Sequence, residues 1–319
     1  MRGIIGLILA GLGAFLILVA VLLPTWVVNR VVKFPLNEYQ TATLEATNAS
    51  YFSVASLTEK TGVTLEATYT IKGDGSAGNS STAVWNEFSY VYDLTNHKAV
   101  EQTSRRFAFN RRTGQLVDCC GASVNGDKSV RQYGLIGYVF PIGTQKQTYQ
   151  VFNTTLKKTE PFVYSGTANV GGIQAYEFVE NIPPTETTTQ TLPGSFVHSS
   201  AASVTLGEYD AEHVVYYIDP ETGALIDVNE QQSTTLRTSA TAAPSLVGFD
   251  ADLVATPATL ATIVGLDSSG RNELTLLDTT LPIVLGIVGG IALLAGIFLN
   301  RRPHEDAAEL DDVSAQAAA

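Results

Sequence analysis

The sequence predicts a mainly β (α+β) protein: one large antiparallel sheet, curled or barrel-like, held between two transmembrane helices. Three observations carry this. Ile4–Leu23 and Leu281–Leu299 are long apolar runs without a single charged side chain. Between them, roughly from residue 36 to 275, short alternating stretches are separated by Gly-, Pro-, Asn- and Asp-containing turns. The composition of that middle region is rich in Thr, Ser, Tyr, Val and Gly, which favours strands and turns.

The first run is long enough to cross a bilayer core at about 1.5 Å per residue. Pro24 is expected to end it, with Trp26 at the interface. It reads as an uncleaved anchor, because its apolar stretch is longer than that of a signal peptide. The second run carries Pro282 in its first turn and stops at Asn300-Arg301-Arg302. Those arginines place the C-terminus in the cytoplasm, and two spans return the N-terminus there beside Arg2. Arg30 and Lys33, beyond the first span, oppose this assignment. The expected organisation is therefore an N-terminal helix over 1–28, an extracytoplasmic β domain over 29–280, a C-terminal helix over 281–300 and a disordered cytoplasmic tail over 301–319, in the plasma membrane. Small residues recur four apart on both helices, as Gly6, Ala10 and Ala14 and as Gly286 and Gly290. They are the candidate contacts for pairing the helices with each other or for making a homodimer.

In the middle region, Leu65–Ile71 reads as a strand with Leu65, Ala67, Tyr69 and Ile71 on one face, followed by Ala83–Tyr92. Arg106–Asn110 and Gln115–Val117 form a hairpin around Asn110-Arg111-Arg112-Thr113-Gly114. Val214–Ile218 and Ala224–Val228 form another around Asp219-Pro220-Glu221-Thr222-Gly223, where Pro and Gly supply the turn geometry. The two turns share Thr-Gly-x-Leu-x-Asp, a hint of an internal repeat. Tyr149–Phe152, Phe162–Ala168 and Ile173–Val179 are further strands. The Pro- and Thr-rich stretch Ile182–Gly194 reads as a surface loop, and Ala255–Leu266 as a juxtamembrane helix. A sheet of this size hides its edges by closing or curling, which would enclose an apolar interior.

The net charge of −12 argues against a nucleic-acid binder, which needs a basic face. Only two cysteines occur, the adjacent Cys119 and Cys120 before Gly121. A vicinal disulfide fixing a sharp turn is one reading, favoured by an oxidising exterior. Two buried thiols, or a redox or metal pair, are the others, and two ligands are too few for a metal. The four histidines are scattered and no catalytic motif is present, so no catalytic residue, metal ligand or cofactor is expected. Glu87, Asp93 and Glu101 lie near aromatic strands where carboxyl groups could pair as acid and base, but they read better as solvated strand faces.

Several segments, in order along the chain, resemble an actinobacterial membrane-protein family defined by a domain of unknown function, DUF3068, and labelled the PorA family. They are Thr82-Ala83-Val84-Trp85-Asn86-Glu87-Phe88, Phe109–Gly114 leading to Asp118-Cys119-Cys120-Gly121, Phe140-Pro141 with Lys146 and Thr148-Tyr149, Tyr176-x-Phe178, and Tyr217-x-Asp219-Pro220-x-Thr222-Gly223. The resemblance implies an envelope protein connected with assembly of lipoglycans such as lipomannan, and hence membrane lipid or glycolipid as ligand or envelope biosynthetic enzymes as partners. It implies no catalytic residue, and it implies an acidic residue where this chain has Asn153. A helix at each end and a long polar β region do not match the porin label, since a transmembrane barrel needs lipid-facing strands throughout.

Overall fold

The computed structural model describes residues 2–300. The expected tail, 301–319, lies outside the described residues, as do Arg301 and Arg302. The chain divides into a helical unit, built from residues up to Val32 and from Asn272 onward, and a β unit over Lys33–Arg271.

The β unit is one antiparallel sheet. Its strands are β1 (Tyr39–Ser53), β2 (Thr58–Gly73), β3 (Thr82–Asp93), β4 (Lys98–Asn110), β5 (Leu116–Val117), β6 (Ser123–Val124), β7 (Tyr149–Asn153), β8 (Lys158–Val170), β9 (Ile173–Pro193), β10 (Ser203–Ile218), β11 (Leu225–Arg237) and β12 (Leu246–Ala255). Their order across the sheet is β5-β4-β3-β2-β1-β12-β11-β10-β9-β8-β7, with β6 also on β4. Every link but β1–β12 joins strands consecutive in sequence, so the sheet grows by hairpins from both sides of a central β1–β12 pair. The sheet curls into a half-barrel, as expected for a sheet of this size that must hide its edges.

Alternation assigns the two faces. On β3, Ala83, Trp85, Glu87, Ser89, Val91 and Asp93 are buried, while Phe88 is exposed. On β1 and β2 the outward positions are Thr41, Thr43, Glu45, Glu66, Thr68 and Lys72, none of them buried.

The two edges of the sheet do not end free. The stretch Gly134–Ile136 runs between them. Leu116 N–H donates to Gly134 O (2.8 Å) and Ile136 N–H to Gly114 O (3.1 Å) on the β5 side. Leu135 N–H donates to Gln150 O (2.7 Å) and Phe152 N–H to Leu135 O (3.0 Å) on the β7 side. The same segment then threads between the two hairpin turns. Phe140 N–H bonds Gly223 O (2.7 Å) and Ile142 N–H bonds Arg112 O (3.1 Å). Its side chains complete the core: Ile136 packs with Trp85, Phe107, Phe109 and Phe152, and Phe140 packs with Tyr149, Phe178 and Ile218.

The shared turn chemistry thereby acquires a cause. Asn110 Oδ1 accepts from Arg112 and Thr113 N–H, and Asp219 Oδ1 accepts from Glu221 N–H. Gly114 and Gly223 have φ of +67° and +77°. A Cβ on either would stand 2.4 Å from Val139 O or Phe140 O respectively. Both turns need glycine because the threaded segment lies against them.

Ile182–Gly194, expected as a loop, is instead the second half of β9, paired with β10 as far as Ser203↔Pro193. Pro183 and Pro184 sit where Asp210↔Thr185 gives way to Glu212↔Ile182, a bulge that needs no donor from them. The β-branched threonines beyond it suit an extended strand. The helix near 255–266 is present and longer, as α1 over Pro257–Thr275. Its Leu260 and Val264 cover Val170, Ile173 and Ile226.

In the helical unit, α2 (Arg2–Leu22) does not stop at Pro24. A π turn over Leu23–Val27 takes in the proline, and α3 (Val28–Val31) follows. Arg30 lies over the Trp26 ring at 4.4 Å. A second π turn, Leu276–Thr280, leads into α4 (Leu281–Asn300). α2 and α4 pack backbone to backbone. A Cβ on Gly13 would lie 2.4 Å from Leu293 N, and one on Gly296 would lie 2.4 Å from Ala10 N. The buried positions Gly6, Gly13 and Ala20 on one helix, and Gly289 and Gly296 on the other, are seven apart. That is the seam of two helices crossing at a shallow left-handed angle. Gly6 and Ala10 lie on this seam. Ala14 is exposed, and Gly286 and Gly290 face open space. A strict four-residue stripe drifts off a seam that averages 3.5 residues per turn, which is why those three fall beside it.

Two outcomes follow. Gly223→Val should destabilise the protein by at least about 2 kcal/mol, through left-handed strain and overpacking against Phe140, read as a lower melting temperature in detergent. Gly296→Leu should separate the helix pair, read by protease access to the membrane-embedded region, whereas Gly286→Leu and Gly290→Leu should leave the pair intact.

Candidate functional site

The half-barrel holds a partly open cavity of ≈ 230 Å³. Tyr69, Ile71, Val151, Phe162, Val214, Tyr216 and Val228 form apolar and aromatic walls. Ionisable groups project into the same space: Glu87 from β3, Glu101 and Arg105 from β4, Glu180 from β9, Glu212 from β10 and Glu230 from β11.

Register explains their meeting. Glu87 and Arg105 are cross-strand partners on β3 and β4. Glu180 and Glu230 are the partners of Val214 on its two sides, and Glu212 is two residues along the same strand. Each follows the inward phase of its strand, with Trp85 before Glu87, Phe107 after Arg105, Phe178 before Glu180 and Val214 after Glu212.

The Arg105 guanidinium lies over the rings of Phe107 (4.6 Å) and Phe152 (5.1 Å). Its Nε donates to Gln132 Oε1 (2.8 Å) and its Nη1 to Ile136 O (3.1 Å). Its Nη2 is buried without a hydrogen-bond partner, as are Glu87 Oε2 and Glu180 Oε1. The three residues are only 5%, 8% and 2% exposed. A buried polar atom left unpaired is destabilising by about 1–3 kcal/mol, more when charged, so three such residues around one cavity make it the candidate site. Asn153 Nδ2 donates to Glu212 Oε2 (2.7 Å), and Gln232 donates to Glu230. An acidic residue at 153, as the resemblance implies, would replace that donor with a further carboxyl group.

Burial, reinforced by Glu212, Glu160 and Glu230, pushes the Glu180 carboxyl up to about 8. Burial and Glu212 raise Glu230 to about 7. Glu212 is raised by burial, against the hydrogen bonds from Asn153 and Thr155. Glu87 is raised by burial, which outweighs Arg105 and Tyr138.

The three carboxyl groups singled out from sequence separate here. Glu87 is not on a solvated face but in the cavity, and Glu101 stands at its rim. Asp93 is fully buried in the β3–β4 turn, where it accepts from Tyr51 Oη (2.9 Å), Thr95 N–H (2.8 Å) and Asn96 N–H (2.9 Å). Burial favours its neutral form, but these hydrogen bonds prevail and hold its carboxyl below the usual range. It is a turn residue. Glu180, Glu212, Glu230 and Arg105 were not singled out from sequence, although their in-phase positions marked them.

Cys119 and Cys120 form a vicinal disulfide with Cα atoms 3.8 Å apart. Cys120 and Gly121 have φ of +63° and +77°. Arg106 fastens the turn: Nε donates to Cys120 O (2.9 Å), Nη1 to Asn86 Oδ1 (2.8 Å) and Nη2 to Asp74 Oδ2 (2.9 Å). Cys120 is exposed and outside the cavity lining, so the disulfide shapes a surface turn and the two-thiol reading falls. Among the described residues no group of side chains is arranged to hold a metal ion.

The family model described as Porin PorA matches residues 5–298. The chain belongs to the PorA family. The match takes in both apolar helices and the whole half-barrel. No curated protein matches the chain.

A raised carboxyl pKa makes the folded state hold protons that the unfolded state has lost. Stability from Glu180 and Glu230 is therefore fully present below about pH 4.5 and is lost as pH rises through about 7 to 8. The melting temperature should fall between pH 5 and 8, and Glu180→Gln should flatten that fall, as followed by thermal melts across the range.

Proposed function

We propose that this chain is a non-catalytic, membrane-anchored binding protein that holds the polar head of a membrane lipid or glycolipid in its half-barrel and hands it on during cell-envelope assembly. The carrying observation is the cavity in which Glu87, Arg105 and Glu180 present unmade hydrogen bonds between aromatic and aliphatic walls. Such a mixed surface suits an amphiphile better than a fully polar or fully apolar solute. Because the cavity is partly open, a head group can sit inside it with its acyl chains outside.

The two long apolar helices support anchoring. A disulfide supports an extracytoplasmic β unit, since thiols stay reduced in the cytoplasm. That orientation, with both termini cytoplasmic, and the link to lipoglycan assembly are parts of this proposal. Channel formation by the sheet is disfavoured by Glu45, Glu66 and Lys72 on its outer face, where a membrane barrel needs apolar residues. A second reading, a scaffold for envelope enzymes or a homodimer, draws on the Gly286 and Gly290 face that α2 leaves uncovered.

Native mass spectrometry of the whole protein released from membranes in mild detergent should show a co-purified lipid. Val228→Phe, which fills the cavity, should lose it without lowering the melting temperature. Lipid-free protein in repeated preparations overturns the reading.

A further inference from the structure

The head-group reading leaves the chemistry of the head open, and the distribution of charge in the cavity narrows it. Glu180, Glu212 and Glu230 come from three neighbouring strands and share one end of the space. Their hydrogen-bond partners are neutral: Asn153 for Glu180 and Glu212, Thr155 for Glu212, and Gln232 and Tyr69 for Glu230. The other charges around them are Glu87, Glu101, Glu160, Asp210 and Asp227, all acidic, and Lys158, which lies outside the cavity lining and is ion-paired to Glu160 (2.8 Å). Among the described residues the only basic side chain lining the cavity is Arg105, whose guanidinium bonds Gln132 and Ile136 O and lies over two phenyl rings. Glu180 is 2% exposed, and its Oε1 has no hydrogen-bond partner.

We propose, resting on the head-group reading, that the ligand carries an ammonium nitrogen and that Glu180, Glu212 and Glu230 receive it. An ammonium offers up to three N–H donors to three carboxyl groups and supplies the positive charge that this end of the cavity lacks. The rings of Tyr69 and Tyr216 line the same space, where a cation gains from an aromatic face. A metal ion fits less well, because the described residues contain no group arranged to ligate one. An anionic head would meet several carboxyl groups against one guanidinium. Arg105 Nη2 and Glu87 Oε2 remain for a hydroxyl or carbonyl of the same ligand.

Binding then has a proton signature. A cation bound among partly protonated carboxyl groups drives them to ionise and release protons, whereas a neutral alcohol does not. The whole protein in lipid nanodiscs, with empty nanodiscs as blank, is titrated calorimetrically at pH 7 with hexylammonium, hexan-1-ol and hexanoate, in two buffers of different ionisation enthalpy. Hexylammonium should bind about tenfold tighter than hexan-1-ol, hexanoate weakest, and only hexylammonium should release protons. Glu180→Gln and Glu212→Gln, close in shape to the originals, should each weaken hexylammonium about tenfold with no loss in melting temperature. Equal binding of the amine and the alcohol overturns the proposal. So does amine binding that is unchanged in both variants. Co-purified lipid without ammonium preference sinks this inference and spares the head-group reading. Ammonium preference without any co-purified lipid does the reverse.

Discussion

The half-barrel depends on the seating of one irregular segment, Gly134–Ile142, between the two ends of its sheet. An eleven-strand path leaves two edges of unpaired N–H and C=O groups, and such edges pair with whatever strand they meet. Here Gly134–Ile136 bonds both edges at once, and Tyr138–Ile142 is bonded by the two hairpin turns. The segment also carries Ile136 and Phe140 into the two largest aromatic clusters. Backbone satisfaction and core filling thus come from the same residues. The arrangement fixes the curl, and the curl turns Glu87, Arg105, Glu180, Glu212 and Glu230 from separate strand positions into one cavity lining.

Much of this was legible in the sequence, for local reasons. The turns Asn110–Gly114 and Asp219–Gly223 announce themselves because Asn, Asp, Pro and Gly encode turn geometry within a few residues. Strands β3, β7 and β10 announce themselves through aromatic and β-branched residues. β1 and β12 do not. Their inward positions include Ala42, Ala46 and Ala251, small residues that pack only because neighbouring strands bring bulk to them. The far half of β9 was hidden by Pro183 and Pro184, which mark a loop in an isolated stretch but sit harmlessly at a bulge once β10 is alongside. That the two similar turns grip one segment could not be read locally, because the contact joins residues far apart in the chain.

The cavity was half legible. Several of its ionisable groups break an inward-facing apolar phase, as Glu87 does two residues after Trp85 and Arg105 two residues before Phe107. Such a break is a site signal only if the strand's two faces are known. On β3 the outward face carries Phe88, Tyr90 and Tyr92, so hydrophobicity alone gives no preference and Glu87 passes for a surface residue. The helices illustrate a similar limit. Small residues four apart are conspicuous, but which face meets the partner is decided by the seven-residue seam through Gly6, Gly13, Gly289 and Gly296, not by the most regular stripe.

The interior composition points away from a purely structural sheet. A core optimised for stability would carry apolar side chains at 87, 105, 180, 212 and 230, since burying carboxyl groups near one another opposes folding at neutral pH. The apolar residues needed for such a core are already present in the surrounding clusters, so the chain did not lack the means to fill the space. Hydrogen-bond partners have been supplied unevenly: Asp93 in its turn is fully satisfied, whereas Glu87, Arg105 and Glu180, all lining the cavity, each keep one buried polar atom unpaired. Turn residues are satisfied because nothing else will satisfy them. Buried groups left unpaired beside a partly enclosed space are stabilised when a ligand brings them a partner, and that difference separates the cavity from the satisfied turn.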